Sequence, residues 1–235
     1  MKKIIISICL LISSFQQTFS QATKADPKDA EGWYSASLKL DLPRKWESNL
    51  TYEFRYYNNL KTYYGSYISL SGTKAVSKIV KMSGEYRIAF LNKGLTHRYT
   101  LGMEGAWKIK KKLELSGRFQ LQNRIQDSYD PLEMNDKTLF WRVKAQAKYP
   151  LNKKFDVYAS VEPIMEFAGD NFVDNWRNII GIKYKIYKRT KLDLSYLYRP
   201  DYGKKTYNRY YNILNLNVTY NLKIKEKNKK NKKKK

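Results

Sequence analysis

The chain has 235 residues, with 46 Lys and Arg against 21 Asp and Glu, a formal charge of +25, and 21 tyrosines. Beyond the first twenty residues no 18-residue apolar run occurs, which excludes helical membrane spans but not a barrel, whose strands bury only alternate residues. One cysteine, Cys9, and one histidine, His97, exclude a disulfide framework and any Cys/His metal set.

The chain starts MKKIIISICLLISSFQQTFSQA. Lys2 and Lys3 precede an apolar run from Ile4 to Ile12, and Thr18 and Ser20 are small residues before Gln21. This reads as a secretory signal peptide over residues 1–20, which would carry Cys9 away with it. Residues 21–31 read as an N-terminal extension. A barrel domain is expected over 32–222.

Alternation starts near residue 33 and does not stop until about 221. In LELSGRFQLQNRI (113–125), Leu113, Leu115, Phe119, Leu121 and Ile125 share one parity, while Glu114, Arg118, Gln120, Gln122 and Arg124 share the other. A strand sends successive side chains to opposite faces, so one face is apolar and the other charged. The same texture marks eleven segments, about 33–42, 46–57, 62–76, 79–91, 95–107, 112–125, 138–149, 154–167, 174–187, 191–200 and 206–221. No helical period competes. Eleven conflicts with the even count usual in bacterial barrels, so either 33–42 is not a full wall strand or one strand is missed.

Two kinds of connection alternate. LPRKWE (42–47), IKKKLE (109–114), LNKKFD (151–156) and YKRTKLD (187–193) are short and basic, and their acids Glu47, Glu114, Asp156 and Asp193 fall on the polar parity of the next segment. NNLK (58–61), QDSYDPLEMND (126–136), AGDNFVD (168–174) and PDYGKK (200–205) are mostly longer and more polar. Short turns at one rim and longer loops at the other predict an all-β, transmembrane, antiparallel up-and-down barrel of about 10–12 strands. Trp33, Trp46, Trp107, Trp141 and Trp176 near segment ends suit interface girdles. Residues 223–235 hold nine lysines and one glutamate and are expected to form a disordered tail.

From about 31 to 222 the chain resembles the Gram-negative outer-membrane β-barrel family of domain of unknown function 2490. The resemblance rests on GWYSASLKL (32–40), FWRVKAQAKYPL (140–151), the Glu166-Phe167 step, NWRNIIGIKYKI (175–186) and LDLSYLYR (192–199). It implies a signal peptide and a barrel, and brings no established activity. The assembly signal would lie at Ile213–Leu222, with Tyr220 as its aromatic.

The polar parity carries the candidate site. Arg55, Arg87, Arg98, Arg124, Arg142, Arg177 and Arg199 lie toward the long-loop end, with Glu53, Glu85, Glu104, Glu162 and Glu166 between or beside them. In a barrel these side chains share one lumen, as an ion-pair plug or as an anion path. Glu162 and Glu166 are about 13 Å apart along one strand, too wide for a glycosidase acid/base pair. DNFVD (170–174) is a solvated acidic loop. No cofactor is expected.

The expected function is that of a small passive channel or structural membrane protein with an Arg/Glu-lined lumen, and not an enzyme. Two alternatives stand beside it. One is a membrane-embedded enzyme on lipid or lipopolysaccharide, for which His97 with a serine is the candidate, although its parity is that of the lipid side. The other is a soluble secreted β-sandwich that binds acidic glycans. Expected partners are outer-membrane lipids and the outer-membrane assembly machinery. Export argues against nucleic acid, and a monomer in the outer membrane is expected.

Overall fold

Alternation over ten or more residues offers no helical stripe to bury, so each segment extends and satisfies its amides on its neighbours. The computed structural model describes residues 28–91, 94–109, 112–128, 136–167, 173–202 and 209–224. The strands are β1 (Lys28–Leu42), β2 (Trp46–Tyr57), β3 (Thr62–Ala75), β4 (Val80–Leu91), β5 (Gly94–Ile109), β6 (Leu113–Ser128), β7 (Asp136–Pro150), β8 (Phe155–Glu166), β9 (Val173–Lys185), β10 (Thr190–Asp201) and β11 (Arg209–Lys223). Each pairs with its sequence neighbours, and β1 closes on β11, so a single sheet forms a barrel with no free edge. A two-sheet sandwich is therefore not what this chain forms.

The seam corrects two expectations. β1 and β11 run parallel, in register from Lys28↔Tyr210 to Asp41↔Lys223, whereas β1 pairs β2 antiparallel like the rest of the wall. The segment taken as 33–42 is a full wall strand beginning at Lys28, and the described residues close the barrel with eleven strands. With an odd count, up-and-down winding brings the first and last strands to the seam pointing the same way. Both run from the long-loop rim to the short-turn rim. Residues 28–31, expected in an extension, are wall. The signal peptide, residues 21–27, the loop residues 129–135, 168–172 and 203–208, and the tail beyond 224 lie outside the described residues.

Three of the short turns share one construction. Amides of Val76 and Ser77 donate to the Val80 carbonyl, those of Leu151 and Asn152 to Phe155, and those of Ile186 and Tyr187 to Thr190. Ser77 Oγ accepts the amides of Ile79 and Val80, and Asn152 Oδ1 those of Lys154 and Phe155, which is the local side-chain bonding that makes Ser and Asn turn residues. At the opposite rim, Asn58, Asn59 and Leu60 have φ of 53°, 54° and 66°. The Asp29 carboxylate of β1 holds this turn by accepting the amides of Asn58 and Asn59 at 3.1 and 2.9 Å.

Two strand glycines meet close neighbours, and a Cβ on Gly65 would lie 2.5 Å from the Phe90 carbonyl oxygen. A Cβ on Gly181 would lie 2.5 Å from the Tyr158 ring, which covers it from β8 and donates its hydroxyl to Asp193 at 2.8 Å.

Polarity is inverted relative to a water-soluble protein. Leu101, Ile180 and Leu70 face outward with 70%, 57% and 55% of their surface exposed, while Glu162 and Arg142 face inward at 2% and 7%.

Candidate functional site

The lumen is built in layers, because residues of one parity on tilted neighbouring strands meet at one height. At the short-turn rim each acid from the basic turns finds a lysine or faces one. Glu47 lies 2.8 Å from Lys39 and 3.2 Å from Lys81. Glu114 binds Lys148 at 2.6 Å, and Asp193 lies 3.7 Å from Lys183. Asp156 stands opposite Lys183 in register. Parity puts these four lysines on the face of the acids, but which acid each one meets follows only from strand register. A cavity of about 250 Å³ sits beside Glu47, lined also by Lys39, Asn49 and Thr219.

At mid-height charged side chains from three strands meet in the lumen. Glu162 Oε1 lies 2.9 Å from Nη2 of Arg118 on β6 and 2.9 Å from Nη2 of Arg142 on β7. Arg142 Nη1 donates to Gln122 Oε1 at 3.0 Å. Pairing of β7 with β8 skips from Arg142↔Ile164 to Ala145↔Val161, an interruption centred on Pro163, which has no amide hydrogen to donate. The inner face of β1, β10 and β11 carries an apolar cluster instead. Trp33, Leu197 and Ile213 form a buried cluster, flanked by Ile179 and Tyr211. Trp33 was expected in an interface girdle, but it faces inward opposite Arg55 and Asn215. Its ring lies 3.7 Å from the Arg55 guanidinium, which also lies 4.1 Å from the Tyr67 ring. The sequence reading missed this cluster; the parity that Trp33 shares with Ser35, Leu197 with Arg199 and Ile213 with Asn215 was the signal that could have found it.

Above this layer a cavity of about 710 Å³ opens at the long-loop rim. Arg55, Arg87, Arg98, Arg124, Arg177 and Arg199 all line it, joined by Arg209. Arg87 stands directly opposite Arg98, and Arg98 directly opposite Arg124, so three arginines lie side by side across β4, β5 and β6. Glu53 beneath them lies 2.6 Å from Arg55 and 3.6 Å from Arg87, and Glu85 pairs with Arg98. Arg199 reaches Glu31 at 3.6 Å and Asp201 at 3.1 Å. Arg124 lies over the buried Phe140 ring at 4.5 Å. Among the described residues no carboxylate pairs with Arg124 or Arg177 within 4.0 Å.

The remaining candidates are spread out. Arg142 and Glu162 belong to the mid-height layer, not the cavity. Glu104 stands opposite Lys81 and Arg118 on the flanking strands, and Glu166 opposite Phe140 near the long-loop rim. His97 is outside the barrel wall, with Tyr86 Oη 2.8 Å from its Nδ1 and Asp127 3.4 Å from its Nε2. No serine is among its described partners.

The family model described as "Protein of unknown function (DUF2490)" matches residues 30–212, and the chain belongs to that family. No curated protein matches the sequence. Among solved structures, the chain is similar to the NanC porin in a rhombohedral crystal form, at 12% identity and TM-score 0.48, over 72% of this chain and 86% of the porin. It is also similar to the translocator domain of the autotransporter NalP from Neisseria meningitidis, at 13% identity and TM-score 0.40, over 69% of each chain.

Proposed function

We propose that the protein is an outer-membrane β-barrel of structural type, shut at mid-height and carrying an arginine cup open to the cell exterior. The observation that carries this reading is the inverted polarity: exposed Leu, Ile, Phe and Met outside, buried Arg and Glu inside. An exterior of that kind is stable against hydrocarbon and would drive association in water. The layer of Glu162, Arg118 and Arg142 with the Trp33–Leu197–Ile213 cluster favours a closed barrel over a passive channel. Basic turn residues such as Arg44, Lys78, Lys153 and Lys188 would meet anionic phospholipid headgroups at the inner rim. Strand β11, with Leu214, Leu216, Val218 and Tyr220 outward, would be read by the assembly machinery.

Cell fractionation with gel mobility before and after boiling tests the membrane part. Recovery in the outer-membrane fraction with faster migration unboiled is the expected result; a soluble protein without heat shift would overturn it. Planar-bilayer recordings test closure. Silence is expected, and a steady open conductance from the purified barrel would restore the channel reading.

A further inference from the structure

We infer that the arginine cup is a binding site for a soluble small anion bearing at least two phosphate or carboxylate groups; this rests on the barrel proposed above.

The first observation is the row itself. Arg87, Arg98 and Arg124 are direct cross-strand neighbours, and all three line one cavity. Like charges placed directly opposite destabilise a sheet. A lumen that only needed filling has neutral solutions, and this barrel uses them at Thr100, Gln122 and Ser160, which are all buried. The row is therefore a cost that filling does not require.

The second is the charge count. Seven arginines line the cavity against the four carboxylates Asp29, Glu31, Asp174 and Asp201. Those carboxylates are already engaged. Asp29 holds the amides of Asn58 and Asn59, Glu31 accepts the Trp33 indole N–H at 2.8 Å, and Asp174 accepts from Asn175. Glu53 and Glu85 beneath the cavity pair with Arg55, Arg87 and Arg98, so seven arginines stand against six carboxylates, and a net positive charge remains beside a volume of about 710 Å³.

The third is unused donor capacity. Among the described residues Arg124 has no carboxylate within 4.0 Å, and Arg177 stands opposite Glu162 in register without an ion pair within 4.0 Å; the two are on β6 and β9, so these guanidinium groups approach the cavity from different parts of the wall. A planar fork of donors matches carboxylate and phosphate oxygens in bidentate fashion. One monovalent anion neutralises a single guanidinium, whereas a ligand with two or more anionic groups spans several. The cup lies inside the closed wall, which separates it from the lipid leaflet, so the ligand enters from solution at the long-loop rim.

The test is isothermal titration of the full-length barrel folded in detergent micelles, with inorganic pyrophosphate and with citrate as probes and acetate as the monovalent control. Saturable binding of either polyvalent probe at 50 mM salt is expected, weakening steeply at 300 mM because charged contacts are screened. Arg124→Gln and Arg177→Gln should each weaken it about tenfold, the scale of one charge-assisted bond. Lys153→Gln at the opposite rim should leave it unchanged. Gel mobility before boiling reports folding for each variant. Should Arg177→Gln not fold, Arg124→Gln decides, since that side chain bears no ion pair. No saturable heat from a barrel that keeps its heat shift would overturn the inference and leave the membrane reading intact. Equal loss on Lys153→Gln would also overturn it, by assigning the binding to diffuse charge. An unshifted parent band would strike the barrel reading instead.

Discussion

Arg142 and Glu162 sit on adjacent strands with Nη2 and Oε1 2.9 Å apart, and neither side chain has more than a tenth of its surface in contact with solvent. Arg118 reaches the same oxygen from the next strand, so one carboxylate serves two guanidinium groups.

Removing that carboxylate leaves two cations without their counter-charge in a closed layer. Glu162→Ala is expected to destabilise the barrel by roughly 3–5 kcal/mol, the cost of breaking a buried ion pair from one side. Urea unfolding in micelles, followed by the heat-shifted band, measures it. Replacing Arg118, Arg142 and Glu162 together by Met and Leu should return most of that loss. A Glu162→Ala barrel within about 1 kcal/mol of the parent would show that the layer is dispensable.

Leu101 has 70% of its surface exposed near the middle of β5. In a water-soluble protein, Leu101→Arg would cost within about 0.5 kcal/mol. Facing hydrocarbon near the bilayer centre, the same change costs roughly 2–4 kcal/mol. Folding into lipid vesicles of the two forms separates the cases, and equal stability would place the outer face in water.

The two rims have opposite exposure in an oriented barrel. Asn59→Cys, in the turn held by Asp29, should react with a membrane-impermeant maleimide in intact cells. Lys153→Cys, in a short turn, should react only once the outer membrane is opened. The reverse pattern would invert the barrel and turn the cup inward.

The parallel seam is open to direct cross-linking. Ala36 and Val218 are register partners facing outward. The double variant Ala36→Cys, Val218→Cys should form a disulfide on oxidation, seen as a mobility change in boiled, unreduced samples. Ala36→Cys with Leu214→Cys, offset about 13 Å along the strand, should not. Cross-linking in the second pair and not the first would refute the register.

Much of the wall was legible from residue order. The period of two is a local property, so the segments 46–57, 62–76 and 112–125 coincide closely with β2, β3 and β6. Parity also placed Arg55, Arg87, Arg98, Arg124, Arg177 and Arg199 on one face, and His97 on the other. The early bound of β1 was missed because Lys28 to Glu31 carry no apolar alternation; they are strand because β11 supplies partners for them.

What residue order determined by itself is therefore which side chains face the lumen. Only the tertiary structure decided which of them meet. The pairing of Glu162 with Arg118 and Arg142, the row of Arg87, Arg98 and Arg124, and the burial of Trp33 against Arg55 depend on cross-strand register and on closure. Both are set between residues far apart in the chain. The parallel seam has the same origin: a strand's direction is local, but the partner it meets when the sheet closes depends on the parity of the whole strand count.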